Sequence, residues 1–291
     1  MLFSRRPTRS EPSSECEVDV EQHLTRAVVP VGRERPPLVD RVVRRLRVSA
    51  VLLLTVAAWA IVTHVFEIKR FILPSPQLVV ERFFEAPTYV IENFLVTLAG
   101  AGAGFTIAAV LGVVLAILLS RWALLEELIY PYLNIIRVTP SIAIAPLLVI
   151  WFGHSPLPTI IVATIISFFP IVVTTALGLK SVDPELLSLM ATLNASEKAI
   201  FQKIRWPNSL PYLFASFRIS APLAVIGALV GEFAGGTAGM GNVLITAKSN
   251  LDTPMSFLMI VLSGFLGILF YGIVVLIEPR VIRWHPSVQL D

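Results

Sequence analysis

Asn134, Arg137 and Ser141 fall at i, i+3 and i+7 in an apolar run, on one face of a helix, with Thr139 between them. An amide, a guanidinium and hydroxyls in such a row suit the wall of a polar path that holds an anion. Thr174 and Thr175 add hydroxyls in a second apolar run. Two readings stand for Arg137: part of that wall, or a residue about one turn inside a membrane boundary that snorkels to the headgroups. A central arginine costs ~2.5–3.5 kcal/mol on insertion scales, so it should face protein or water, not lipid. Catalytic and metal chemistry find no support. Cys16 is the single cysteine, and His23, His64, His154 and His285 are scattered singly. There is no Ser/His/Asp set, no paired carboxylates near a membrane face, and no Gly-x-x-x-x-Gly-Lys-Ser/Thr loop. The glycines of residues 100–104 lack the lysine and the strand that a phosphate loop needs.

The elements that must position these residues are membrane spans. The 291-residue chain is 55% hydrophobic and 15% charged, against ~25% charged in soluble domains, which excludes a soluble globular protein. An all-α integral membrane fold with six transmembrane helices is expected, at residues 48–66, 94–119, 128–151, 159–179, 212–233 and 255–277. Arg41, Arg44, Arg45 and Arg47 directly precede the first span and place the N-terminus in the cytoplasm. Both termini then lie inside, and the outer segments hold only Lys69, Arg70, Arg82 and Lys248. Residues 1–40 are polar and expected to be disordered, 41–70 form a basic juxtamembrane segment and the first span, 71–286 a five-helix core, and 287–291 a short tail. Residues 77–85 suit a short interfacial helix, and 235–250 a glycine-rich outer segment.

Gly100, Gly104, Ala108, Gly112 and Ala116 recur every fourth residue in the second span, a small-residue stripe that admits another helix closely. Pro131, Pro140 and Pro146 make the third span a kinked helix. Glu126, Glu127, Glu185, Glu232 and Glu278 sit at or beyond span ends, and Arg218 and Glu232 read as close to water.

One hydrophilic stretch, residues 180–211, is too long for a tight turn between spans. Asp183-Pro184-Glu185 reads as a helix start: a capping carboxylate, a proline at the first helical position, and an acid in the first turn. Leu186, Leu187, Leu189, Met190 and Leu193 follow at helical spacing, and Asn194 suits a left-handed helix end. Ser196 caps a second helix whose apolar side holds Ile200, Phe201 and Ile204, and which Trp206-Pro207 is expected to close. The result is a helix–corner–helix platform on the membrane surface, offering Leu and Met to a partner.

This stretch resembles the cytoplasmic loop of ABC-importer permeases, whose pattern is Glu-Ala-Ala, three residues, Gly, nine residues, Ile-x-Leu-Pro. Leu193-Asn194-Ala195-Ser196 and Ile204-Arg205-Trp206-Pro207 match its second half. Ser188, Leu189 and Met190 stand in place of Glu-Ala-Ala, and Asn194 in place of Gly. Arg137-Val138-Thr139-Pro140, continuing to Ala145-Pro146-Leu147 and Trp151-Phe152-Gly153, is similar to the third-span signature of nitrate/sulfonate/taurine-type permeases. Residues 73–76 (Leu-Pro-Ser-Pro) and Glu232 followed by Gly239-Met240-Gly241 resemble the same family, and the likeness runs over 71–286. It implies a type I importer permease with a cytoplasmic coupling-helix loop, and Leu189, Met190, Leu193, Asn194, Ala195, Ser196, Ile204 and Pro207 as the ATPase contact. It further implies cytoplasmic ABC ATPase partners that bind ATP and Mg, a second permease subunit, in a homodimer or a paired heterodimer, and an extracytoplasmic binding protein. No cofactor in this chain and no nucleic-acid partner are expected. The implied cargo is a small, anionic solute: a sulfonate, nitrate, taurine-like compound or a related organic such as a vitamin precursor. The path candidates remain Asn134, Arg137, Thr139, Ser141, Thr174 and Thr175. The alternative is an ion-coupled secondary transporter, which would favour deep carboxylates and paired broken helices.

Overall fold

The computed structural model describes residues 38–282; the expected disordered segment up to residue 37 and the tail 287–291 lie outside them. Apolar periodicity and capping residues produce helices throughout the described residues. They are α1 (Leu38–Val65), α2 (Pro76–Glu85), α3 (Pro87–Arg121), α4 (Ala123–Val138), α5 (Ser141–Phe152), α6 (Leu157–Lys180), α7 (Pro184–Thr192), α8 (Glu197–Ile200), α9 (Trp206–Gly235), α10 (Met240–Ser249) and α11 (Thr253–Val281). Two compact units divide within α1, the first ending at Val56 and the second beginning at Ala57. The first contains the exposed run Val51–Leu54.

Among the described residues, Pro87–Arg121, Leu157–Lys180, Glu197–Gly235 and Thr253–Val281 are long and apolar enough to cross a bilayer. Even the shortest, 24 residues, rises ~36 Å at ~1.5 Å per residue, beyond a ~30 Å hydrocarbon core. The apolar part of α1, Ser49–Val65, is shorter.

The expected third span is not one kinked helix. Helices α4 and α5 meet at 94°. Thr139 is extended (φ −66°, ψ 124°), as is Pro140 (ψ 108°), because a residue before proline is pushed out of helical geometry. Pro131 and Pro146 stay inside their helices. Trp206-Pro207 does not close the platform's second helix either. A π turn over Phe201–Arg205 carries the chain from α8 straight into α9, with the Trp206 N–H donating to the Phe201 carbonyl. Pro207 then lies at the start of α9, directly after the π turn, and the helix runs on past it. The glycine-rich segment 235–250 contains α10.

The core is built on α6. The expected stripe of α3 is buried along its length, from Gly100 to Ala116. A Cβ on Gly104 would lie 2.5 Å from Ala163 Cβ, and one on Gly100 2.9 Å from Thr159 Cγ2. On its other side α6 meets α9 at the same two residues: a Cβ on Gly227 would lie 2.6 Å from Ala163 Cα, and one on Gly231 2.6 Å from Thr159 Cα. So α6 is clasped between α3 and α9 by paired glycines, the close approach that van der Waals packing in lipid requires. Helix α11 packs on α9, pinned by an ion pair between Arg218 and the buried Glu278 (Nη2–Oε2 2.5 Å). Arg218 is therefore partnered rather than simply solvated.

At the end opposite the platform, α2 is stapled to the start of α11. Arg82 reaches Asp252 Oδ2 through Nη2 at 2.7 Å and Nε at 3.0 Å, while Asp252 caps α11 by accepting from the Met255 N–H. Hydrogen bonds to Glu85 and Asp252 hold the Arg82 guanidinium above its ordinary pKa.

Candidate functional site

The platform is rigid by local capping. Asp183 accepts the Glu185 N–H at 2.9 Å to start α7. Asn194 ends it at φ 54°, the left-handed position expected of it. Around it the Ala195 N–H donates to Met190 O and the Asn194 N–H to Ala191 O, both at 3.0 Å. This is the Schellman arrangement that satisfies the last carbonyls of a helix. Ser196 then accepts the Ala199 N–H at 3.3 Å to open α8. Three side-chain ties brace the corner against the spans. Arg121 at the end of α3 pairs with Glu197 at 2.5 Å, Lys180 pairs with Glu126 of α4, and Asn208 donates to Gly178 O (3.0 Å) and Ser181 Oγ (3.1 Å). Exposed pairs of this kind contribute ~0–1 kcal/mol; their effect is to set the platform's orientation.

Among its polar exposed residues the platform leaves large apolar side chains uncovered. Leu189 is 55% exposed and Leu193 67%. Asn194 and Ser196 are exposed beside them, while Met190, Ala195, Ile204 and Pro207 are half-buried. Ile204 and Pro207 line a cleft of about 340 Å³ with Leu186 and Lys203, between α7 and the start of α9.

The path candidates are distributed differently from their sequence register. The break at Thr139–Pro140 puts Asn134 and Arg137 on α4 and Ser141 on α5, so the three do not share one helix face. Asn134, Arg137 and Thr139 are exposed and Ser141 half-buried. The Arg137 guanidinium carbon sits 4.9 Å from the centre of the Phe169 ring of α6, a cation–π contact. Thr139 Oγ1 donates to its own helix at Ile135 O. Thr174 is half-buried; Thr175 is fully enclosed, its hydroxyl without a hydrogen-bond partner.

A buried carboxylate site escaped the sequence reading, which placed Glu232 near water. Glu232 is 2% exposed. Its Oε2 accepts from Thr97 Oγ1 at 3.0 Å and from the Gly241 N–H at 2.8 Å. Thr97 Oγ1 in turn accepts the Met240 N–H at 2.8 Å, and Asn93 Oδ1 accepts the Gly239 N–H at 2.7 Å. Side chains of α3 and α9 thus satisfy successive amides at the start of α10, which helix starts leave unpaired. Gly239 has φ 104° and packs directly on the carboxylate. Asn93 and Thr97, four residues apart in an apolar run, were the available signal. Replacing Thr97 with valine keeps the shape but strands the Met240 amide and half the carboxylate's donors. At ~1–3 kcal/mol per unmet buried group, the purified protein should melt several degrees lower, while Thr97→Ser melts as the parent does.

Spans clasped around one central helix, joined at one end by a capped platform, define a multi-pass membrane transport subunit. The chain belongs to the binding-protein-dependent transport system inner membrane component family, whose pattern it matches over residues 87–283. That makes it an ABC-importer permease subunit and not an enzyme. Curated relatives include the formylaminopyrimidine transport permease protein ThiX of Halalkalibacterium halodurans, 34% identical over 74% of this chain and 86% of the relative. The riboflavin transport system permease protein RibX of Chloroflexus aurantiacus is 31% identical over 83% of this chain and 91% of its own. A Bacillus subtilis relative, SsuC, is described for aliphatic sulfonates and is 26% identical over 80% and 86%. Among solved structures, the inward-facing MetNI methionine ABC transporter aligns with a TM-score of 0.56 at 18% identity, covering 68% of this chain and 97% of that one. That likeness shows the shared fold.

Proposed function

We propose that the chain is one of two identical permease subunits that carry a small anionic organic solute inward across a prokaryotic plasma membrane. An extracytoplasmic binding protein delivers the solute, and separate ABC ATPase subunits, which hold the ATP and Mg, dock on the platform. Six spans with both termini in the cytoplasm complete this reading, α1 supplying the first and the α4–α5 pair the third. Arg121, Lys180, Lys198, Lys203 and Arg205 gather at the platform end, which supports a cytoplasmic position for it. The relatives' names, for a pyrimidine, a flavin and sulfonates, support a small polar organic cargo, and Arg137 favours an anionic one. The observation that carries the proposal is the platform: capped at both ends, braced at three points, and offering Leu189 and Leu193 to water. An ion-coupled mechanism would want a mobile buried carboxylate; Glu232 is instead held through Oε2 by one hydroxyl and by one amide at the start of α10.

Replacing Met190 and Leu193 together with aspartate is expected to abolish substrate-stimulated ATP hydrolysis in the reconstituted complex, with the permease still inserted in the membrane. Normal stimulation in that variant would reject the coupling assignment. The cargo is identified by the small molecule that the partner binding protein retains on purification, read by mass spectrometry; a retained cation would reject the anionic reading.

A further inference from the structure

Where α3 leaves its apolar stretch, a recess of about 430 Å³ opens beside α8. Its aqueous side is cationic: Arg121, Lys198 and Arg205 line it, against one carboxylate, Glu197. That carboxylate is taken by Arg121 at 2.5 Å, and Lys198 and Arg205 form no ion pair among the described residues. The rest of the lining is apolar apart from Ser120: Ile117 and Leu118 before Arg121 on α3, Trp122 just after it, and Phe201 between Lys198 and Arg205. Ile117 lies one helical turn before Arg121, a rise of ~6 Å. Grease gives way to positive charge over the depth at which a phospholipid passes from acyl chain to phosphate. Trp122, 56% exposed, is the residue type enriched at that level. A soluble anion would use the cations and leave the apolar wall unexplained; a phospholipid uses both.

We infer that this recess binds an anionic phospholipid of the cytoplasmic leaflet, its phosphate among Arg121, Lys198 and Arg205 and the start of its acyl chains against Ile117 and Leu118. Basic pockets at the cytoplasmic ends of transmembrane helices suit such headgroups. The inference rests on the permease reading only in assigning this end to the cytoplasm. Because Glu197 opens α8, a phosphate drawing Arg121 away loosens a tie of the platform, so lipid composition bears on coupling.

The test is native mass spectrometry of the full-length chain in detergent with equal parts of phosphatidylglycerol and phosphatidylcholine. The parent should retain phosphatidylglycerol preferentially. The Lys198→Gln/Arg205→Gln variant should lose that preference on the order of thirtyfold, from ~1 kcal/mol per basic residue near the headgroups. The swap Lys198→Arg/Arg205→Lys, which keeps both charges, should retain it. Undiminished preference in the neutral variant, or equal loss in the swap, overturns the proposal. Displacement of the lipid by inorganic phosphate would assign a soluble-anion site and overturn it as well. Loss of ATPase co-purification with lipid preference intact would assign the recess to a protein interface and overturn it too. No ATPase enters the lipid readout, so failure of the coupling experiment leaves this one standing.

Discussion

Gly239→Ala is expected to be among the most damaging single substitutions in the described chain. Two independent penalties meet at this residue. Its backbone, φ 104° and ψ 161°, lies in a region essentially reserved for glycine and costs other residues ~1–3 kcal/mol. The added Cβ would also stand 2.3 Å from Glu232 Cδ and 2.4 Å from its Oε1. The carboxylate must move, and moving it releases the Thr97 hydroxyl and the Gly241 amide in a site closed to water, at ~1–3 kcal/mol each. The total is several kcal/mol against a usual stability of ~5–15, or a fall in melting temperature on the order of ten degrees at ~2–4 °C per kcal/mol. Gly264→Ala is the control, since a Cβ there meets nothing within 4 Å. Thermal unfolding of the two purified variants decides it; equal melting temperatures would mean that the buried carboxylate does not hold the start of α10 in place.

The second large effect is expected on the other face of the core, from Gly231→Val. A Cβ at this position would lie 2.6 Å from Thr159 Cα, 3.2 Å from its nitrogen and 3.3 Å from Pro158 O. All three are backbone atoms of α6, so no rotamer change relieves the clash and the helices must separate. Overpacking usually costs ~1–3 kcal/mol, and the upper end applies where only backbone can yield. In lipid no hydrophobic force draws the helices back together, since the tails are as apolar as the side chains. The variant should be degraded in cells and lose uptake, and its purified form should be readily proteolysed. Gly102→Ala, whose Cβ would rest 3.9 Å from Phe270, should behave as the parent. A fully active Gly231→Val would mean that α6 and α9 do not work as one clasped unit.

Legibility in the sequence followed the range of the interaction. Asp183, Asn194 and Ser196 announced the platform because a cap and the amides or carbonyls it satisfies lie within five residues of each other. The stripe from Gly100 to Ala116 announced a close helix contact because helical periodicity alone puts those residues on one face. The break between α4 and α5, within the expected third span, was less legible. Three prolines interrupt it, yet the chain turns only at Pro140 while Pro131 and Pro146 remain helical. A proline permits a break; whether freed carbonyls find other partners is settled by the surroundings. Trp206-Pro207 erred in the opposite direction, for a π turn just before the proline lets the helix run on past it.

The amino-acid sequence by itself determined that this protein is a bundle of membrane helices with a capped platform, because capping and apolar periodicity act within a turn or two of helix. Only the tertiary structure decided where the chain breaks between α4 and α5, which helix stands at the centre, and that Glu232 is buried. Glu232 is hidden because Asn93 and Thr97, more than a hundred residues earlier in the chain, fold back to seat the start of α10 on it. Burial of that kind is a property of neighbours in space: the spacing of Asn93 and Thr97 marks a polar pair in an apolar run, but not the carboxylate it meets.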